Sequence, residues 1–238
     1  MSKDVSIVIA AFNEEKNIEA AIDNVVQAVG SLPDDYEIVV VNDGSHDRTG
    51  ALAEAKAKAN PRINVIHHEA NKGFGCAFST GVRAATKSYV TGFPGDNDAS
   101  AQSLKDIIGQ IDNVDLIFTY MEDTRNRSLL RRMISKTFVL VMNCLFGLKL
   151  KYYNGLFICR RQAIQSVTIK SSGLTAIAEC LVRMIKSGCT YKQVCFHHTG
   201  RKEGKSTALT LRSLRSVSKA IFILVKDIYF PEKDKAGK

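Results

Sequence analysis

No stretch of this 238-residue chain approaches the roughly 20 consecutive apolar residues that a helix needs to cross a bilayer, so any membrane contact is expected to be peripheral. None of the six cysteines stands in a Cys-x-x-Cys pair, and five lie in apolar company, which favours reduced core thiols over a zinc site or a disulfide framework. The opening Met-Ser-Lys-Asp runs straight into a strand pattern without a signal-peptide profile, so the expected location is cytoplasmic. Internal repeats and low-complexity linkers are also missing. Acidic residues are in deficit: 24 Asp and Glu face 33 Lys and Arg, a formal charge of +9 that calls for an anionic partner. The basic stretches hold few aromatics and no nucleic-acid recognition motif. Nucleic acid therefore gives way to a phosphorylated substrate or an anionic lipid surface.

What is present is an alternation of strand and helix patterns. Val5–Ala11 and Tyr36–Asn42 are continuous apolar runs of the kind buried on both faces of a parallel sheet. Residues 17–29 carry Ile18, Ala21, Ile22, Val25, Val26 and Val29 at helical spacing, closed by Gly30 and Pro33. An Ala-rich helix over 49–60, a short strand over 63–66, a small-residue helix over 76–86 and a strand over 89–93 follow. Four strand–helix alternations in the first hundred residues predict an α/β fold with a mostly parallel sheet flanked by helices. In the second half a helix over 104–111, strands over 114–119, 153–159 and 191–197, and a helix over 176–187 are expected. Residues 134–150 read as an apolar segment broken by Asn143 and Gly147. The expected organisation is one catalytic domain over 1–207, an amphipathic basic helical extension over 208–230 and a disordered tail over 231–238.

Ligands of such sheets bind beyond the carboxyl ends of the strands. Three polar clusters fall there: Ala11-Phe12-Asn13-Glu14, Asn42-Asp43-Gly44-Ser45 and Gly95-Asp96-Asn97-Asp98. Two acids one residue apart at a strand end suit a hard cation, because Mg²⁺ is commonly held by one or two carboxylates plus a substrate's phosphates. A polar turn capping the next helix explains Asp96 and Asp98 equally well when they are taken alone. Likewise Asp43-Gly44 suits a tight turn or a carboxylate facing a base or ribose. Phe12 and Glu14 suit the wall of a nucleoside pocket, or a helix start with Asn13 as its cap. His67-His68 and His197-His198 are poor joint ligands, since neighbours on a strand point to opposite faces.

The order of these clusters, with Asn71-Lys-Gly-Phe-Gly75 between the second and third, resembles the family 2 glycosyltransferases of the GT-A fold. The resemblance runs over about residues 5–206. Within that family it is closest to the polyprenyl-phosphate glycosyltransferases of the dolichol-phosphate mannose synthase type. Residues 153–160, the segment Thr175-Ala-Ile-Ala-Glu179 and the loop Arg201-Lys-Glu-Gly-Lys-Ser206 look like downstream features of that subgroup. The Gln-x-x-Arg-Trp signature of processive synthases is absent, and the chain holds no tryptophan at all. Three positions depart from the pattern. Asn42 replaces the usual first acid, Asn97 places a polar residue between Asp96 and Asp98, and Thr119-Tyr-Met-Glu stands where Gly-Thr-Arg is common.

The resemblance implies an inverting transfer of a sugar from a nucleoside diphosphate sugar, UDP- or GDP-linked, with Mg²⁺ or Mn²⁺. Asp96 would contact metal and nucleotide, and Asp98 metal and diphosphate. Ala11, Phe12, Glu14 and Asp43 would hold the nucleoside. Arg201 and Lys205 would clamp the diphosphate, and Arg125, Arg127, Arg131 or Arg132 would bind phosphate in place of the missing Gly-Thr-Arg. Asp98 and Glu179 are the candidate general bases, with Glu179 equally suited to a structural partnership. The implied acceptor is a polyprenyl phosphate or another lipid-linked group at the inner membrane face. A hydroxyl on a glycan, protein or small molecule is the alternative acceptor, and a non-catalytic nucleotide- or membrane-binding subunit the alternative class. The basic helix expected over 209–229 suits either core packing or a place on anionic lipid. Homo-oligomerisation is left open.

Overall fold

The computed structural model describes residues 3–30, 35–120, 128–173, 175–195 and 211–230, without the side chains of 211–214. In chain order the elements are β1 (Val5–Ala11), α1 (Ile18–Val29), β2 (Tyr36–Asn42), α2 (Thr49–Ala59), β3 (Ile63–His67), α3 (Phe74–Ala84), β4 (Tyr89–Pro94) and α4 (Ala101–Gly109). There follow β5 (Leu116–Tyr120), α5 (Leu129–Phe146), β6 (Phe157–Arg160), α6 (Arg161–Gln165), α7 (Ala176–Lys186), β7 (Tyr191–Cys195) and α8 (Leu211–Tyr229).

The seven strands form one sheet in the order β3-β2-β1-β4-β6-β5-β7. Only β6 runs antiparallel to its neighbours, pairing Val90 with Cys159 and Ile117 with Ile158. The register of β1 against β2 and β4 sets Ala11 beside Asn42 and Ala10 beside Pro94. Three strand ends therefore stop at one level, and the three polar clusters start from the same rim.

Alternation along β1 explains its uninterrupted apolar sequence. Val5, Ile7, Ile9 and Ala11 pack into a core with α1, α2 and α4, while Val8 points to the other face, against α3. Helices cover both faces, so neither parity of side chain meets water. The second face carries a core built by α3, α5, α6, α7 and α8, with Phe78, Phe118, Phe146, Tyr153 and Leu181 almost fully buried.

Several boundaries differ from expectation, for local reasons. The segment expected to break at Asn143 is one continuous helix, α5, which begins at Leu129 and takes in Arg131, Arg132 and Lys136. Its cap is Gly147, left-handed at φ 61°, and Asn143 ties off the following loop by bonding both the N–H and the carbonyl of Leu150 and the hydroxyl of Tyr153. That anchoring leaves Tyr153 in the core rather than in a strand, and β6 starts only at Phe157. Asn13 is not a helix cap, since α1 begins at Ile18 and Asn13 has φ 55°. All six cysteines are free, but Cys76 and Cys144 are exposed, contrary to their apolar neighbourhoods in sequence. Cys144 shares the exposed side of α5 with Val141 and Leu145, and Cys76 follows the exposed Phe74, so apolar company in sequence does not here mean burial.

Within the segment 208–230, the described part is α8, packed on the second core through Leu224, Ile221, Val225 and Ile228. Its other side leaves Phe222 and Tyr229 exposed, as is Phe230 just beyond. Among the described residues no helix is long and apolar enough to cross a membrane. The tail over 231–238 lies outside the described residues.

Candidate active site

The rim is assembled by bonds between the turn after β1 and the loop after β2. The Asp43 N–H donates to the Ala11 carbonyl (2.9 Å), closing the two strand ends together. Beyond it the backbone N–H groups of Asn13, Glu14 and Glu15 donate to Ser45 Oγ (3.0 Å), Thr49 Oγ1 (2.7 Å) and Asp47 Oδ2 (3.1 Å). Asn13 Oδ1 returns the contact by accepting from the His46 N–H (2.9 Å). This zipper is what holds Asn13 in the left-handed region, which asparagine tolerates better than most residues. It leaves the Phe12 ring 39% exposed at the rim, edge-on to His46.

Asp43 is 2% exposed and its oxygens are engaged within the chain. Oδ1 accepts from the Lys72 N–H (3.0 Å) and meets His68 Nδ1 (2.7 Å), and Oδ2 accepts from the Gly73 N–H (2.8 Å). The carboxylate assigned from sequence to the nucleoside thus organises the Gly-rich loop at Asn71–Gly75. His68 in turn reaches Thr80 on α3, while His67 meets Asn42 and Glu54. The two histidines diverge, as neighbours on a strand should, and both serve structure. Asn42, the departure from the usual acid, accepts from the Ser45 N–H and so helps fold the loop beside Asp43.

The turn after β4 is tight. Gly95 packs against β1, where a Cβ would lie 2.7 Å from the Ala10 carbonyl oxygen, so only glycine lets the turn approach the strand. The Asn97 N–H donates to the Pro94 carbonyl, and the Asp98 N–H to Asp96 Oδ1 at 3.2 Å. Asn97 itself is left-handed (φ 58°), and its side chain turns away to accept from Asn24 Nδ2 of α1 (2.8 Å). The polar residue between the acids therefore fastens the turn to α1, and Asp96 and Asp98 stand exposed on the rim, with Asn97 half-buried between them.

Glu14 lies within reach of the Asp96 charge. Burial raises the Glu14 carboxyl above its ordinary range, a hydrogen bond from Asn17 opposes this, and the negative charge of Asp96 raises it further. A rim that crowds carboxylates in this way favours a cation. Asp96 and Asp98 form a two-carboxylate donor set, which fits a divalent ion completed by phosphate oxygens. Among the described residues no cluster of three or more His, Cys, Asp or Glu could hold a metal alone.

The remaining residues assigned from sequence fall elsewhere. Glu179 on α7 is 3% exposed and accepts from the backbone N–H groups of Lys170 (3.1 Å) and Ser171 (2.7 Å) and from Arg183 (2.7 Å). It has the structural partnership that the sequence left open. Arg131 stands in the first turn of α5, where its N–H donates to the capping Ser128 Oγ. Arg125, Arg127, Arg201 and Lys205 lie outside the described residues. Asn24 and Asp227 had no sequence signal, because each matters through a partner distant in the chain.

The glycosyl transferase family 2 model matches residues 6–168, which include all three polar clusters of the rim. The chain belongs to that family. Family 2 relatives include the dodecaprenyl-phosphate galacturonate synthase of Rhizobium johnstonii, 22% identical over 222 residues, covering 91% of this chain and 65% of that protein. The dolichol-phosphate mannosyltransferase of Pyrococcus furiosus is 26% identical over 219 residues, covering 87% of this chain and 60% of that protein. The chain therefore spans less than two thirds of the length of these curated relatives. Among solved structures, glucosyl-3-phosphoglycerate synthase from Mycobacterium tuberculosis with Mn²⁺, UDP and phosphoglyceric acid superposes with a TM-score of 0.69 at 19% identity, covering 99% of this chain and 81% of that one. That likeness confirms the GT-A fold of this family 2 chain.

Proposed function

We propose that this chain transfers a sugar from a nucleoside diphosphate sugar to a polyprenyl phosphate at a membrane surface. The observation that carries the reading is the convergence of Phe12, Glu14, the Asp43-organised loop and the Asp96–Asp98 turn on one rim of a family 2 fold. Ala11, Phe12 and Glu14 line the nucleoside side, and Asp43 acts there by holding the Lys72–Gly73 backbone in place. Asp96 and Asp98 would hold Mg²⁺ or Mn²⁺, which supplies positive charge to the departing diphosphate. Arg201 and Lys205 would add charge-assisted hydrogen bonds to the same group.

In the reaction an acceptor phosphate oxygen forms the new bond to the anomeric carbon. The bond from that carbon to the diphosphate oxygen breaks, and the nucleoside diphosphate leaves with the electron pair. A phosphate acceptor is already an anion and needs no strong base, unlike a hydroxyl. The engagement of Glu179 by three donors favours this acceptor, because it removes one of the two carboxylates available as a base.

The acceptor's location is supported by α5 and α8. These helices meet where the Tyr229 hydroxyl donates to the Leu145 carbonyl and the Phe146 and Tyr229 rings stack. Both expose large apolar side chains, Leu129, Leu130, Met133 and Leu140 on one and Phe222 on the other, beside Arg131, Arg132, Lys136, Arg215 and Lys219. Apolar groups among basic ones suit the headgroup layer of an anionic leaflet. The names of the two relatives point to the same acceptor class. The test is transfer of radiolabelled sugar from a panel of UDP- and GDP-sugars, with Mn²⁺, into vesicles with and without polyprenyl phosphate. Label entering the lipid only when polyprenyl phosphate is present supports the reading, and transfer to a hydroxyl acceptor alone overturns the acceptor assignment.

A further inference from the structure

A chain of polar contacts runs from the C-terminal helix to the Gly-rich loop of the rim. It starts at Asp43, whose oxygens accept from the Lys72 and Gly73 N–H groups. The same loop rests on a second segment: the Gly75 N–H donates to the Ser172 carbonyl at 3.1 Å, and a Cβ on Gly73 would lie 2.5 Å from that oxygen. The supporting segment is held from below by Glu179, which takes the N–H groups of Lys170 and Ser171. Glu179 is paired with Arg183 one turn along α7 (2.7 Å), and Arg183 reaches Asp227 on α8 (2.6 Å). Asp227 also pairs with Lys170 Nζ (2.7 Å), so it grips the same segment from a second side.

These groups are well placed to transmit position. The Arg183 and Glu179 side chains are 12% and 3% exposed, so their contacts are little screened by water. A guanidinium bridging two carboxylates in fixed geometry resists displacement more than a single flexible pair does. Ala220, Ile221 and Leu224 of α8 line a small crevice with Ser171, Thr175 and Glu179, which brings α8 directly against the supporting segment. The mechanism proposed for the rim uses neither Arg183 nor Asp227. Substrate-binding geometry is sensitive to displacements of about 1 Å, so what holds the Gly-rich loop also sets how well the rim receives its donor.

We propose that Arg183 and Asp227 are positioning residues for the donor site: they hold residues 170–172, and through them the Lys72–Gly75 loop, in the geometry that binds the nucleotide. This rests on the nucleotide-sugar reading above. By this account α8 is part of the donor site's support as well as a surface helix.

The experiment measures binding of UDP and of GDP, each with Mn²⁺, by calorimetry on the full chain, alongside donor KM, kcat and amide exchange at Gly73 and Gly75. Arg183→Lys keeps the charge and removes the fork, and Asp227→Ala removes the α8 end. Both should weaken binding of whichever nucleotide the wild type binds by about tenfold, equivalent to ~1.4 kcal/mol. KM should rise more than kcat falls, and exchange at Gly73 and Gly75 should accelerate. Asp23→Ala, which breaks a more exposed 2.7 Å pair with Lys56 between α1 and α2, should change none of these. If Asp227→Ala does not fold, Arg183→Lys decides the matter. Folded variants with wild-type affinity and wild-type exchange overturn the proposal, and so does an equal effect of Asp23→Ala. A wild type that binds neither nucleotide overturns the donor reading itself; the positioning claim then falls with it.

Discussion

Asn24 of α1 donates to the Asn97 side chain across 2.8 Å, and this contact fastens the left-handed residue that lies between the two acids of the rim. A polar residue that looks out of place between Asp96 and Asp98 thus has a partner 73 positions earlier in the chain.

Removing that partner should loosen the turn without dismantling the fold. Asn24→Ala is expected to cost about 1 kcal/mol of stability, the net value of one hydrogen bond. The apparent Mn²⁺ requirement for sugar transfer should rise several-fold, because Asp96 and Asp98 are less well aligned. Mn²⁺ titration of activity, with urea denaturation alongside, checks both parts.

Gly95 should tolerate no side chain. A Cβ there meets the Ala10 carbonyl oxygen at 2.7 Å and the Ala11 Cβ at 3.1 Å, and both sit in a central strand that cannot yield easily. Gly95→Ala is expected to destabilise by about 1–3 kcal/mol, the usual range for overpacking. It should also displace the acids from their rim position. Chemical denaturation reads the first effect and nucleotide binding the second.

His68 should matter chiefly through Asp43. Its side chain is 7% exposed and lies between Asp43 and Thr80. His68→Ala leaves a buried carboxylate with fewer partners, at an expected cost of about 1–3 kcal/mol. His67→Ala removes a half-exposed pair with Glu54 and one contact to the Asn42 amide, leaves no carboxylate buried without a partner, and should cost less. Paired urea denaturation curves order the two variants.

The Asp227 clasp should weaken in acid. Burial works against its charged form, but hydrogen bonds from Lys170 and Arg183 outweigh this and hold the carboxyl below its ordinary value of 3.8. A folded value below the unfolded one gives stability that is complete above the ordinary aspartate range and is lost as pH falls through the folded value. The stability difference between wild type and Asp227→Asn should therefore stay constant near neutrality and shrink once pH drops below 3.8. Urea denaturation over a pH series measures it.

The strand ends were legible because burial on both faces writes a continuous apolar run, and because the residues after such a run must lie at the sheet's rim. Ala11 and Asn42 followed directly from that logic, whereas the third strand runs to Pro94, one residue beyond the expected end at Phe93. The roles within the rim were less legible. Whether Asp43 faces a ligand or its own chain depends on where Lys72 and Gly73 come to rest, some 30 residues later. Glu179 poses the same problem, since a helix position states only that an acid points inward. The course of α5 was misread because Asn143 and Gly147 usually interrupt helices, whereas here one anchors the following loop and the other caps the end.

The central claim is sugar transfer organised by the acids after β4, and Asp98→Asn tests it most directly. The substitution keeps the side chain's size and removes one anionic charge from the rim. With folding confirmed by circular dichroism, the variant should lose at least about a hundredfold of Mn²⁺-dependent nucleotide release from the UDP- or GDP-sugar that the wild type turns over, a loss of ~2.7 kcal/mol in transition-state stabilisation. Turnover equal to that of the wild type would contradict the account.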